Sequence, residues 1–232
     1  MIVLSVDTTG RAGSAAIVDG TRVLAEVSGD PALTHGQRLP GELIELVSRA
    51  GVRVNAVDLL AVAAGPGSFT GLRVGIAAMQ GLAMALGKPI VPISTLEALA
   101  RAGARGEDWL VAPWIDAQRG EVFGAVYETD GRTAIGEPTA LSPAATLAAL
   151  GRIAPGQRFL FIGDGARRYA DLITAALGSR ARLDPIVPQL ATWIGRIALE
   201  SPGRAVAPHA VAPIYVRRPD AEIARDRRTR EV

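Results

Sequence analysis

The stretch LLAVAAGPGSFTGLRVG, residues 59–75, passes from an unbroken apolar run through glycine, proline and hydroxyl groups into a second apolar run. An apolar segment without polar alternation is what a strand buried on both faces requires, so a strand is expected over 57–64. Gly65-Pro66-Gly67 ends it, and a helix capped by Ser68 or Thr70 follows. Up to Gly87 that helix carries one charge, Arg73. Gly71, Gly75 and Ala78 stand at i, i+4 and i+7, leaving one stripe nearly bare backbone, whereas Leu72, Ile76, Met79 and Leu86 carry bulk. A helix without a polar face must be covered on all sides. Its own domain can cover it, or a second chain approaching over the small residues, and the sequence leaves both open.

Two catalytic motifs fail at this turn. A P-loop needs four residues between its glycines and then Lys with Ser or Thr; the fifth position after Gly65 is Thr70 and no lysine follows. A nucleophile elbow needs glycines two residues either side of the serine, and Gly65 and Gly71 lie three residues from Ser68.

Working outward, 2–6 reads as a first strand ending at Asp7-Thr8-Thr9-Gly10, followed by GSAAIV, Asp19-Gly20 and TRVLAEV. Asp-Gly between two β-prone runs predicts a hairpin with a type I′ turn. A helix is expected over 38–50, with Leu39, Leu43, Leu46 and Ala50 on one face and Gly51 as terminator. The second half repeats this order. Trp114-Ile115-Asp116 answers Ser5-Val6-Asp7, EVFGAVY answers GSAAIV, Thr129-Asp130-Gly131 answers Val18-Asp19-Gly20, and FLFIGDGARRYADLI again runs strand, glycine loop, helix. The fold class is therefore α/β, a duplicated unit with a mixed sheet flanked by helices in each of two lobes. The boundary falls in ARAGARGED, 100–108, dividing the chain into 1–104 and 105–232. A helix over 191–200 and an edge segment from Val211 complete the second part, with the last segment packing back on the first lobe.

The chain has 232 residues, no cysteine and a net charge of +2. Disulfides, thiolate catalysis and sulfur-held metals are excluded, and a cytoplasmic location is expected. Six arginines from Arg217 onward against four acids give the whole surplus, so the tail reads as a solvated end, with RNA contact as the competing reading. The apolar run 74–86 is too short for a membrane span. Histidine occurs at His35 and His209 alone, which argues against a transition-metal site. Asp7, Thr8 and Thr9 sit where a phosphate turn would gather amides and hydroxyls, with the carboxylate placing a magnesium ion, and Asp116 holds the matching position. A turn-stabilising aspartate is the competing reading. No catalytic constellation can be defended.

These residues carry a family resemblance. IVLSVDTTG, THGQRLP, GPGSFTGLRVGIAAMQGLA, STLEALA, IDAQRGEVFGAVY and PIYVR together resemble the bacterial TsaB (YeaZ) family of tRNA threonylcarbamoyladenosine biosynthesis proteins over nearly the full length. The resemblance implies the actin, Hsp70 and sugar-kinase fold, of the ribonuclease H-like kind. It also implies a degenerate relative of the transferase subunit TsaD, once labelled a glycoprotease, which moves threonylcarbamoyl onto the adenosine beside the anticodon. The implied role is a non-catalytic subunit that binds and activates TsaD, is joined by the ATPase TsaE, meets tRNA through the complex, avoids membranes, and forms a homodimer when alone. The implied pairing surface comprises Leu39, Leu43, Leu46, Val47, Phe69, Gly71, Leu72, Gly75, Ile76, Ala78, Met79 and Leu82, with Asp7, Thr8, Thr9 and Asp116 as a vestigial nucleotide site. TsaD's paired metal-binding histidines have no counterpart, and 63–66 lacks the acid of the second phosphate loop. No cofactor is then required by this chain alone, ATP and magnesium entering at the level of the complex. A sugar-kinase-like phosphotransferase or glycoprotease-like hydrolase is the alternative.

Overall fold

A computed structural model describes residues 1–217. The tail arginines at 218, 225, 227, 228 and 230, with their neighbouring acids, lie outside the described residues. The first half contains β1 (Ile2–Asp7), β2 (Ser14–Asp19), β3 (Arg22–Ser28), α1 (His35–Ala50), β4 (Leu59–Gly65), α2 (Phe69–Leu86), β5 (Ile90–Ser94) and α3 (Thr95–Gly103). The second contains β6 (Leu110–Asp116), β7 (Val122–Gly124), β8 (Thr139–Leu141), α4 (Pro143–Ile153), β9 (Phe159–Ile162), α5 (Asp164–Arg168), α6 (Ala170–Leu177), β10 (Ala181–Leu183) and α7 (Ala191–Glu200).

The duplication appears directly in the sheets. One runs β3-β2-β1-β4-β5 and the other β8-β7-β6-β9-β10. In each, the first three strands form an antiparallel meander and the last two extend it in parallel. Parallel neighbours demand crossovers, and helices α1 and α2, then α4 to α6, provide them. Five layers result. Helices α1 and α2 cover the outer face of the first sheet around Leu4, Val6, Leu60 and Val62. On the outer face of the second sheet, α4, α5 and α6 pack around Trp114, Phe159 and Phe161. Between the sheets lie α3 and α7, in one core that includes Val3, Val18, Ala61, Val111, Ile115 and Ile194. Helix α7, though late in the chain, lies on β1, β2 and β4, and Ser5 Oγ donates to the Ala191 carbonyl at 2.7 Å.

Four details depart from the sequence expectation. Helix α1 begins three residues early, because the Gln37 side chain reaches back to accept the Thr34 amide at 3.0 Å and fixes the first turn. In the first hairpin Asp19 pairs with Arg22, so the central residues are Gly20 and Thr21; Gly20 has φ 56° and Thr21 is not positive, so the turn is not of type I′. Helix α2 runs 18 residues from Phe69, which by length and composition alone suffices to cross a bilayer, although a third of it is buried in the fold. The expected edge segment from Val211 forms no strand: the antiparallel bridge to Ile90 is made earlier, by Val206, a 3-10 turn over Pro208–Ala210 follows, and Ile214 N then donates to Ala64 O at 2.6 Å.

Candidate functional site

The two turns expected to hold phosphate lie at the carboxyl ends of β1 and β6, where ligands of open α/β sheets bind. In the first, Asp7 is buried and its Oδ1 accepts both the Thr9 amide at 2.8 Å and the Thr9 hydroxyl at 2.6 Å. Burial pushes this carboxyl above the usual aspartate range, although both Thr9 bonds and the nearby cations oppose the shift. The Thr8 hydroxyl donates to the Gly71 carbonyl at 2.8 Å, and Ser68 N donates to the Thr9 carbonyl at 2.9 Å. Both threonine hydroxyls are therefore engaged inside the protein.

The glycines of the β4–α2 turn explain how this becomes possible. A methyl group on Gly71 would lie 2.0 Å from the Thr8 carbonyl oxygen, one on Gly75 2.1 Å from the Thr8 hydroxyl, and one on Gly67 2.5 Å from Thr9 Cβ. The bare stripe on α2 thus receives the β1 turn of its own chain. Ser68 caps the helix, its Oγ accepting from Gly71 N at 3.2 Å.

Beneath this turn lies a polar cluster the sequence did not announce. Arg38 is buried, with Nη1 on both oxygens of Glu42 at 2.6 Å and Nη2 on the Ala12 carbonyl. His35 Nδ1 stands 2.6 Å from Arg38 Nη2, and His35 Nε2 stands 3.0 Å from the Gly10 carbonyl. A guanidinium can only donate, so Nδ1 accepts and the ring proton sits on Nε2. Burial first, then Arg38, lowers the histidine pKa, outweighing the Gly10 bond and the charges of Asp7 and Glu42. An arginine and glutamate four apart read as a solvated pair; the only available signal was the short, glycine-rich β1–β2 loop that they support.

At the second turn, Asp116 accepts from Gln118 N and Gln118 Nε2, both at 3.0 Å, and is paired to Arg168 at 2.7 Å. Asp164 accepts the amides of Asp116 and Gly165 at 3.0 and 2.8 Å, and burial raises its pKa. A magnesium-bound phosphate needs ionised carboxylates with free lone pairs. Here Asp7 is buried with its Oδ1 held by Thr9, and both oxygens of Asp116 are taken up by Gln118 and Arg168, so the residues present do not fit that group. Among the described residues no three His, Asp or Glu side chains gather as a metal site.

The residues expected to form a pairing surface divide in two. Leu39, Leu46, Gly71, Leu72, Gly75, Ile76 and Met79 are buried in their own lobe, and Leu43, Val47, Ala78 and Leu82 are half-buried against the same core. Phe69 alone of that set is exposed. The outward face of these packed helices instead presents Ile44, 73% exposed, Met84, 69% exposed, and the small residues Ala77, Gly81 and Ala85. Ile44 and Met84 fall off the periodic stripes used to assign the core, which is why sequence reasoning passed over them.

Comparison with known proteins agrees with this architecture. The family described as TsaD, tRNA N6-adenosine threonylcarbamoyltransferase, matches residues 30–225. The tRNA threonylcarbamoyladenosine biosynthesis protein TsaB of Escherichia coli is 36% identical over 132 residues, 56% of this chain and 56% of that protein. The chain spans about half the length of the curated TsaB relatives it matches. The solved YeaZ of Pseudomonas aeruginosa superposes with a TM-score of 0.74 at 29% identity, covering 92% of this chain and 99% of that one. A ROK hexokinase from Thermus thermophilus, at 16% identity and TM-score 0.50 over 88% of this chain and 98% of its own, shares the fold alone. With two identically ordered sheets, internally satisfied turns and these matches, the chain belongs to the TsaB/YeaZ branch of the TsaD family.

Proposed function

We propose that this protein is a non-catalytic subunit in tRNA threonylcarbamoyladenosine formation, docking a TsaD-like transferase subunit and, with it, a TsaE-like ATPase, and meeting tRNA only through that assembly. The observation that carries the reading is the exposed apolar surface of α1 and α2, to which Ile44 contributes from α1 and Phe69, Ala77, Gly81 and Met84 from α2, with Arg73 the one charge along α2. Small residues between large ones admit a partner helix at close range. The expected pairing residues that are buried act by holding α1 and α2 in place. Without its partner, the same face pairs with a second copy.

The engaged turns support the non-catalytic part. Neither acid is free to hold a metal-bound phosphate, and both threonine hydroxyls are bonded within the chain. The experiment is capture of a TsaD-like subunit together with titration of ATP and magnesium into this chain alone. Capture with no nucleotide binding is expected; micromolar nucleotide binding by the isolated chain would favour a phosphotransferase.

A further inference from the structure

Among the described residues the chain passes covalently between its halves twice, at 104–109 and 184–190. Beside the shared core of α3 and α7, a further non-covalent link follows the residues after α7. Val206 joins the edge of β5 through two bonds to Ile90, at 2.9 and 3.1 Å. Gln80 on α2 then donates to the carbonyls of Pro208 and Val211, at 2.9 and 3.2 Å, and Val211 is buried in the first half. Ile214 N reaches the carboxyl end of β4 at Ala64 O. A methyl group on Gly65, whose φ is 114°, would lie 2.6 Å from the Ile214 carbonyl, so glycine is required for this approach. The Tyr215 ring stacks on Phe69 with centroids 5.8 Å apart, and the Arg73 guanidinium lies 3.9 Å over the same Phe69 ring. Val216 packs against the core between the sheets. Arg217 then reaches the turn after β6, donating to the Ala117 carbonyl at 3.1 Å and to Glu121 at 2.9 Å, with its guanidinium 5.9 Å from the Phe123 ring.

Within residues 214–217 the chain therefore steps from the carboxyl end of β4 to the carboxyl end of β6. In this architecture ligands enter beside those strand ends, and closure of two lobes about a hinge is the motion such a cleft permits. We propose that residues 206–217 are an intramolecular clasp that fixes the separation of the two halves, so that the molecule moves as one rigid body and not as a hinge. The clasp presents a steady scaffold where a ligand-driven relative would open and close.

The absence of cysteine makes the test clean. Ser48→Cys on α1 and Ala175→Cys on α6, both exposed, are spin-labelled in the full chain and their separation is read by pulsed electron resonance. A narrow distance distribution is expected with the clasp intact. Arg217→Glu with Tyr215→Gly should widen it while far-ultraviolet dichroism is retained, and Arg217→Glu with Glu121→Arg and Tyr215 intact should restore it. If the double variant fails to fold, Arg217→Glu alone and its charge-swapped partner carry the comparison. A broad distribution in the unaltered protein overturns the proposal, as does a narrow one in a variant whose Ile214 amide exchanges about tenfold faster.

Discussion

A methyl group at Gly71 would stand 2.0 Å from the backbone oxygen of Thr8, and backbone cannot swing aside as a flexible side chain would. Gly71→Ala should therefore destabilise the protein by roughly 1–3 kcal/mol, measured by urea unfolding, the range for overpacking a tight interior. His35 gives a pH signature. Its pKa in the folded protein is lowered from 6.5, so its contribution to stability is present above that value and lost as pH falls through the lower folded value. Denaturant midpoints should fall on acidification below about pH 6.5, and His35→Gln should flatten that part of the profile. Asp7 has the opposite sign: its raised pKa favours the folded state in acid, and that contribution is lost as pH rises. Legibility at this scale was uneven. Asp7, Thr8 and Thr9 were recognisable as a turn from their order alone, and in the structure the Asp7 carboxyl holds the Thr9 amide and hydroxyl. Arg38 was not recognisable, since an arginine points inward only when a glutamate and a carbonyl converge on it, and Ala12 lies 26 residues away along the chain.

Among the elements, α2 combines a buried glycine face with an exposed apolar one, and the two should respond differently to change. Met84→Asp alters a side chain touching solvent, so stability should stay within about 0.5 kcal/mol of the parent. Capture of the transferase-like partner should nevertheless be lost in a pull-down; retained capture would place the pairing surface elsewhere. Ser68→Ala removes the cap and should cost about 1 kcal/mol in thermal or urea unfolding without affecting that face. Periodicity made α1 readable, because burial on a consistent side selects apolar residues at fixed intervals, whereas β4 and α2 were readable as apolar runs on either side of a glycine turn. The strands β7, β8 and β10 span three residues each, too few for a period to register. The EVFGAVY run keeps only Val122–Gly124 in the ladder, and Tyr127 pairs instead with Val111 and Ala134.

The whole molecule depends on two helices held between two sheets. Gly195 of α7 touches the first sheet so closely that a methyl group would lie 2.8 Å from Val18 and 2.9 Å from the Ser5 hydroxyl. Gly195→Leu should lift α7 from that sheet, and calorimetry should then register two unfolding transitions where the parent has one. Duplication was visible in the sequence because both copies keep an aspartate after the first strand and a glycine loop before a helix. The exchange of helices was less visible, since α7 contacts β1 across some 186 residues of intervening chain, as in the bond from Ser5 to Ala191. This late arrival bears on biosynthesis. Val3, Val18, Leu59 and Ala61 leave the ribosome long before the residues that roof them. Helix α3 can shelter the β4–β5 side early, but the part of that face over β1 and β2 must wait bare until nearly two hundred residues have been made, an interval in which chaperones have something to hold.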